Sequence, residues 1–285
     1  MFDYHEPTTV GEAIALLASA EDARCLAGGL TLVAMMNFGM MRPSIVVGLR
    51  RIEELHGIHA DAQGGLRIGA MTPHRALAAE GRLVGSNEVV REAAASIGVP
   101  IRNMATIGGA VCHADPASDL NTALVAAGAV VEVAGPRGRR EVAVEDVFSF
   151  YLTTHLAADE MVTAVRLPKA APGSVGAHDK VSRVHGDTPT ILAAVTLGFE
   201  NGRISSARLA IGACGPVTLH DAEADAALIG GRAEDAAIEK ACAILALKSD
   251  PPNDVRGSAD YRKLLMPRVA KRLVRRALEK RKPQP

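Results

Sequence analysis

Two glycine pairs carry the residues best suited to chemistry in this chain, Ala27-Gly28-Gly29-Leu30-Thr31 and Thr106-Ile107-Gly108-Gly109-Ala110. Paired glycines let a backbone come close to a bulky ligand and adopt dihedrals that a Cβ forbids. Thr106 adds a hydroxyl to the second turn, and turns of this kind can hold phosphate oxygens through their amides. Behind the second pair, Asp115-Pro116 reads as a helix start, with Asp115 as N-cap and Pro116 as the first helical residue. That helix runs through Leu120, Ala123, Leu124 and Ala127 to near Gly128. The positive end of its dipole then lies beside the glycine turn, which favours a diphosphate. The same residues also fit a tight turn followed by a capped core helix. Neither G-x-G-x-x-G nor G-x-x-x-x-G-K-[ST] occurs, so any phosphate cradling falls to these two pairs.

The other reactive residue types suggest less. Cys25, Cys112, Cys214 and Cys242 are far apart with no C-x-x-C pair, which gives neither a disulfide framework nor a zinc or iron–sulfur site of the chain's own. His56 and His59 flank Gly57 with no carboxylate placed to complete a metal set, and read as a surface turn. Met35, Met36, Met40 and Met41 read as core filler. No Ser/His/Asp or paired-carboxylate arrangement asks to be a catalytic centre.

These residues need elements to position them. The 285 residues suffice for one large or two modest domains. A helix over 10–17 opens the chain with Thr9 as cap and Glu12 three residues later. A short strand at 23–27 enters the first glycine pair, a helix follows over 30–36, and 44–49 reads as a buried strand. Thr72 and Pro73 predict a helix start, a further helix spans 87–97, and 129–134 with 140–144 form a hairpin across a Gly-Pro-Arg-Gly turn. An alternating strand at 160–168 ends in a proline. The Lys169-Ala170-Ala171-Pro172-Gly173-Ser174 stretch predicts a domain boundary. Beyond it, strands at 179–184, 190–199 and 204–211 precede helices at 222–228, 233–247 and 261–282, an α+β module. In the last helix Leu265, Val269, Leu273 and Ala277 form an apolar stripe. Arg268, Lys271, Arg272, Arg275, Arg276, Lys280, Arg281 and Lys282 fill the remainder as a solvated basic face.

With 32 basic and 32 acidic residues the formal charge is zero, so no bulk attraction to nucleic acid is implied. The absence of Trp, with three Tyr and five Phe, also argues against base stacking. The amino terminus lacks a signal-peptide layout and no apolar run reaches membrane-spanning length, which predicts a soluble cytoplasmic protein.

The two glycine motifs, with Asp115-Pro116-Ala117-Ser118-Asp119 behind the second, resemble the FAD-binding medium subunit of the molybdenum hydroxylases. That family includes the flavoprotein chains of carbon monoxide, nicotine and nicotinate dehydrogenases and the middle domain of xanthine dehydrogenase. The likeness covers nearly the whole chain, through Phe2-Asp3-Tyr4, Met41-Arg42-Pro43, Asp159-Glu160-Met161-Val162, Ile211-Gly212-Ala213-Cys214-Gly215-Pro216 and Ser258-Ala259-Asp260-Tyr261-Arg262.

The resemblance implies an α+β fold. A two-lobed, PCMH-type FAD-binding domain (1–174, lobes about 1–56 and 57–174) would precede a smaller C-terminal domain (175–285) with an antiparallel sheet. It implies non-covalent FAD, with both glycine turns gripping the diphosphate through backbone N–H groups and with Cys112 and His113 near it but not linked. Asp119 would bond a hydroxyl of the cofactor's sugar or ribityl part, Met161 and Thr188 would lie against the cofactor, and Lys180 would face the isoalloxazine and favour its anionic reduced form by charge. On residue type alone, Asp119 is equally an early-helix acid and Lys180 an exposed strand lysine. Two positions depart from the family: Ala110 stands where Asn or Ser is usual, and Thr188 where many members carry an aromatic residue.

The function implied is electron transfer within a heterotrimer or its dimer. A large partner would hold the molybdenum cofactor, a small partner 2Fe-2S clusters, and this chain's FAD would pass electrons to an external acceptor. Two alternatives stay open: a self-contained flavin reductase or oxidase, with Ser182, His185 or Asp187 as proton donor, and a flavin-free scaffold.

Overall fold

The computed structural model describes residues 2–281. Its first lobe is a parallel three-stranded sheet in which β3 (Ile45–Gly48) lies between β1 (Asp3–His5) and β2 (Arg24–Leu26). Helix α1 (Val10–Ser19) links β1 to β2. Thr9 and Glu12 close a full capping box at its start, and Val10, Ala13 and Leu17 turn inward at helical spacing. Helix α2 (Leu30–Asn37) follows the first glycine pair, with Gly29 as its N-cap at φ +77°, a dihedral that glycine adopts without strain.

The second lobe is a five-stranded antiparallel sheet in the order β4 (Ile58–Ala60), β5 (Leu66–Gly69), β10 (Met161–Leu167), β6 (Val130–Gly135), β7 (Gly138–Ala143). A small hairpin of β8 (Phe148–Phe150) and β9 (Thr153–Thr154) lies beside it. Its helices are α3 (His74–Ala79), α4 (Glu88–Ser96), α5 (Val99–Met104), α6 (Ile107–His113), α7 (Asp119–Ala126) and the short α8 (Val144–Val147).

The third unit is an antiparallel sheet of β11 (Val175–Val181), β12 (Ile191–Glu200) and β13 (Arg203–Gly212), followed by α9 (Ala222–Ala226), α10 (Asp235–Leu247) and α11 (Ala259–Lys280). Strand β12 is buried along eight consecutive residues because both faces are covered. Ile191, Ala193, Val195 and Leu197 pack toward α10 and α11, while Ala194, with Ala210 opposite on β13, packs into the core of the second lobe. Small residues on that face let α7 come close. A Cβ at Gly212 would lie 2.5 Å from Thr122 Oγ1. Leu120 and Leu124 of α7 are fully buried, each contributing about 1.5–3 kcal/mol. This approach sets α7 against the sheet face that carries His178 and Lys180.

Several expectations need correction. Asp115 does not cap the helix; Oδ1 accepts from the Ala117 amide at 2.8 Å in a local turn, and Ser118 caps α7 through the Asn121 amide at 3.2 Å. Thr72 is not a cap either, because its hydroxyl donates to the Gly57 carbonyl and α3 starts without a side-chain cap. The methionines are not core filler: α2 has no buried residue and Met40 is 71% exposed just beyond it. The basic face of α11 is not simply solvated, since Lys271, Arg275 and Arg276 pair with Glu239, Asp235 and Glu92. Lys282 lies outside the described residues.

Candidate cofactor site

The two glycine corners meet. A Cβ on Gly28 would lie 1.9 Å from the Met104 carbonyl oxygen, so the chain at 104–106 runs directly against the first corner, which only glycine allows. The corners differ in what they offer. Around the first, the amides of Gly28, Gly29, Leu30, Thr31 and Leu32 have no acceptor among the described residues. They form the N-terminus of α2, where free N–H groups and the helix dipole favour an anion.

The second corner is a capped first turn of α6. Thr106 Oγ1 accepts from the Gly109 amide at 3.2 Å, and the Ile107, Gly108 and Ala110 amides donate to Thr72, Ala70 and Thr106 carbonyls. Its N–H groups already have acceptors within the chain. Gly108 is required there because its Cβ would meet the Ala70 Cβ at 2.6 Å. Ala110 keeps its place in this turn, and its carbonyl accepts from Asn121 Nδ2 at 3.0 Å.

Cys112 of α6 has the Val162 backbone beside it and chain on most sides, yet its side chain is exposed. Cys25 of β2 is close enough to feel its charge. Burial pushes the Cys112 thiol up to about 11 and Cys25 up to about 12, so neither is a ready nucleophile. Met161 starts β10 in the second-lobe sheet but packs into the first-lobe core, at the seam between lobes.

Asp119, the first residue of α7, is buried among donors. Lys180 Nζ donates to Oδ2 at 2.9 Å and Ser96 Oγ to Oδ1 at 3.0 Å. His178 Nε2 stands 3.1 Å from Oδ1 without hydrogen-bond alignment and acts on it as an electrostatic neighbour. Burial would raise the Asp119 carboxyl, but the nearby His178 and Lys180 outweigh it and hold the group below the ordinary carboxylate value. Lys180 is no exposed strand lysine, for its side chain is 9% accessible and also donates to the Asp187 carbonyl at 3.0 Å. Asp119 and Lys180 are each legible in the sequence as site candidates, but their pairing is not. Thr188 is half-buried in the loop between β11 and β12, its amide donating to Asp187 Oδ1 at 2.7 Å.

His74 escaped notice in the sequence. It is buried, neither ring nitrogen has an aligned partner, and its amide donates to the Ala105 carbonyl at 2.9 Å. Burial pushes the ring down to about 4, against the opposing pull of the Thr106 backbone and Asp119. The one available signal was a His directly after the Thr72-Pro73 break. Two open hollows lie elsewhere, one lined by His56, Thr72 and Arg82 and one along α11; neither includes Asp119, Lys180 or a glycine of either corner. Among the described residues no group of three His, Cys, Asp or Glu could hold a metal ion, and no helix is long and apolar enough to cross a membrane.

Unbonded amides at a helix N-terminus and a buried acid–lysine pair fit a dinucleotide that carries a diphosphate and a polar chain. Comparison with known proteins agrees. The family described as the FAD binding domain in molybdopterin dehydrogenase matches residues 1–170, and the CO dehydrogenase flavoprotein C-terminal domain matches 177–279. The carbon monoxide dehydrogenase medium chain of Afipia carboxidovorans is 35% identical over 99% of this chain and 96% of that one. The 6-hydroxypseudooxynicotine dehydrogenase complex subunit alpha of Paenarthrobacter nicotinovorans is 34% identical over the same shares, 99% and 96%. Among solved structures, carbon monoxide dehydrogenase from Hydrogenophaga pseudoflava superposes with a TM-score of 0.93 at 34% identity, over 98% of this chain and 97% of that one. Quinoline 2-oxidoreductase from Pseudomonas putida gives 0.89 at 28% identity, over 99% and 98%. The chain belongs to the FAD-binding medium subunits of the molybdenum hydroxylases and is an oxidoreductase subunit that works within a complex.

Proposed function

We propose that this chain binds FAD non-covalently between its lobes and relays electrons from a partner's 2Fe-2S clusters to an external acceptor. A further partner would hold the molybdenum cofactor. The observation that carries this reading is the row of free amides from Gly28 to Leu32, set against the second glycine corner within a chain of this family. When bound, FAD supplies the redox chemistry, accepting electrons and passing them on in pairs.

The chain's own residues bind and orient. The α2 amides take the diphosphate, and the α6 turn, its own donors used, walls the other side. Asp119 offers a carboxylate, held ionised by its neighbours, to a cofactor hydroxyl. Lys180 presents a positive charge at the flavin end. Met161 fills the lobe seam and Thr188 covers the flavin without a ring to stack. The high Cys112 thiol favours non-covalent attachment. Four unpaired cysteines suit a cytoplasmic location.

Co-expression with the flanking large and small subunits tests the proposal. A yellow complex that oxidises an organic or carbon monoxide-like substrate, while this chain alone does not, supports it. Turnover by the lone chain would favour the self-contained enzyme instead, and a colourless but intact complex would favour the scaffold.

A further inference from the structure

The segments Ile211–Pro216 and Ser258–Arg262 are joined by one side chain. Arg262, in the first turn of α11, is 1% exposed and is the largest fully buried side chain among the described residues. Its guanidinium donates to the Ala213 carbonyl at 3.0 Å, to Asp254 Oδ1 at 2.6 Å and, at close range, to the Thr190 carbonyl. Burying a guanidinium is costly, and a well-packed apolar residue would often be as stable, so three acceptors from three segments point to a role in placement. Ala213 even keeps φ +61°, a strained value for a residue with a Cβ, where its carbonyl meets Arg262.

Thr190 closes the base of the 182–189 loop, its amide donating to the Val181 carbonyl at 2.7 Å and its hydroxyl to the Arg256 carbonyl at 2.9 Å. Arg183 reaches back to the Val255 carbonyl. The far side of the loop is seated at Gly186, φ +83°, where a Cβ would lie 2.9 Å from the Gly98 Cα. Between these two anchors, the Asp187 carbonyl accepts from Lys180 Nζ.

We infer that Arg262 is a positioning residue for the cofactor site: by fixing Thr190 it holds the 182–189 loop, and through the Asp187 carbonyl it sets the direction of the Lys180 ammonium. This rests on the reading that Lys180 faces bound FAD.

The experiment is a double-mutant cycle in the assembled complex, stripped of FAD and retitrated. The readouts are the FAD dissociation constant from flavin fluorescence, the visible circular dichroism of bound flavin and the melting temperature. Arg262→Lys, which keeps the charge but not the fork, should raise the dissociation constant about tenfold and alter the flavin dichroism. In a Lys180→Met background it should add less than twofold. Equal effects in both backgrounds, or a loss of melting temperature with the flavin signals unchanged, would overturn the inference. Should Arg262→Lys fail to assemble, Gly186→Ala displaces the loop from its other anchor and must show the same dependence on Lys180. If Lys180→Met alone changes neither affinity nor dichroism, the reading of Lys180 falls, and the inference with it. If Lys180→Met has an effect but neither loop variant does, only the inference falls.

Discussion

Gly28→Ala tests most sharply how the corners meet. The new Cβ would lie 1.9 Å from the Met104 oxygen and 2.8 Å from its carbon, both backbone atoms, with no side chain to swing away. Real Cβ contacts almost never fall below 3.0 Å, so α2 and the 104–106 segment must separate by about 1 Å. Overpacking of this kind costs ~1–3 kcal/mol of stability, or roughly 2–5 °C in melting temperature for a chain this long. The same shift moves the α2 amides off the diphosphate. One lost charge-assisted hydrogen bond is worth ~1.5–3 kcal/mol, so FAD affinity should fall by roughly ten- to a hundredfold. Gly11→Ala is the control: a Cβ there meets nothing within 4 Å, and inside α1 it should stabilise by ~0.5–1 kcal/mol without touching FAD. The assay is fluorescence titration of the stripped complex alongside thermal melting. If Gly28→Ala binds FAD within twofold of wild type, the corners do not form the diphosphate site.

Other outcomes follow from the buried groups. Asp119→Asn leaves the Lys180 ammonium buried without its carboxylate and should cost ~3–5 kcal/mol in urea unfolding. Because the native state lowers the Asp119 pKa, its contribution is complete above about pH 3.9 and is lost as the pH falls through the lower folded value, so the gap to the variant should close in acid. An equal gap at pH 3 and pH 7 would refute the assignment. For His74 the native ring is pushed from 6.5 to about 4, so the unfolded chain binds a proton first. Stability should therefore fall as the pH drops from 6.5 toward 4, by up to about 3 kcal/mol, and His74→Gln should flatten that slope. Cys112 is exposed with its thiol pushed up to about 11, so alkylation should be slow at pH 8, speed up about tenfold per pH unit to pH 10 and stop when FAD is bound. Labelling indifferent to FAD would move the cofactor elsewhere.

Elements whose reasons are local were legible in the sequence. The Thr9–Glu12 capping box, the hairpin around 135–138 and the strands at 190–199 and 204–211 follow from residue type and spacing, whereas the strand expected at 179–184 runs over Val175–Val181. The misreadings arise where a distant segment decides. Asp115 looked like a cap, but Pro116 and Ala117 turn the chain first, and the helix waits for Ser118. The methionines after Gly29 read as core because apolar periodicity does not reveal whether anything covers a helix, and among the described residues none of α2 is fully buried. Asp119 and Lys180 were each plausible at the site, but 61 positions separate them, and only the close packing of α7 on β11 to β13 makes them a pair. Arg262 could not be read as buried, because its three acceptors come from segments far apart in the chain.

The most direct measurement is an experimental structure of the complete complex with FAD bound. We expect diphosphate oxygens about 3 Å from the amides between Gly28 and Leu32, with Asp119 at the sugar or ribityl chain and Lys180 at the flavin. A diphosphate held away from α2, or a flavin end remote from Lys180, would contradict it.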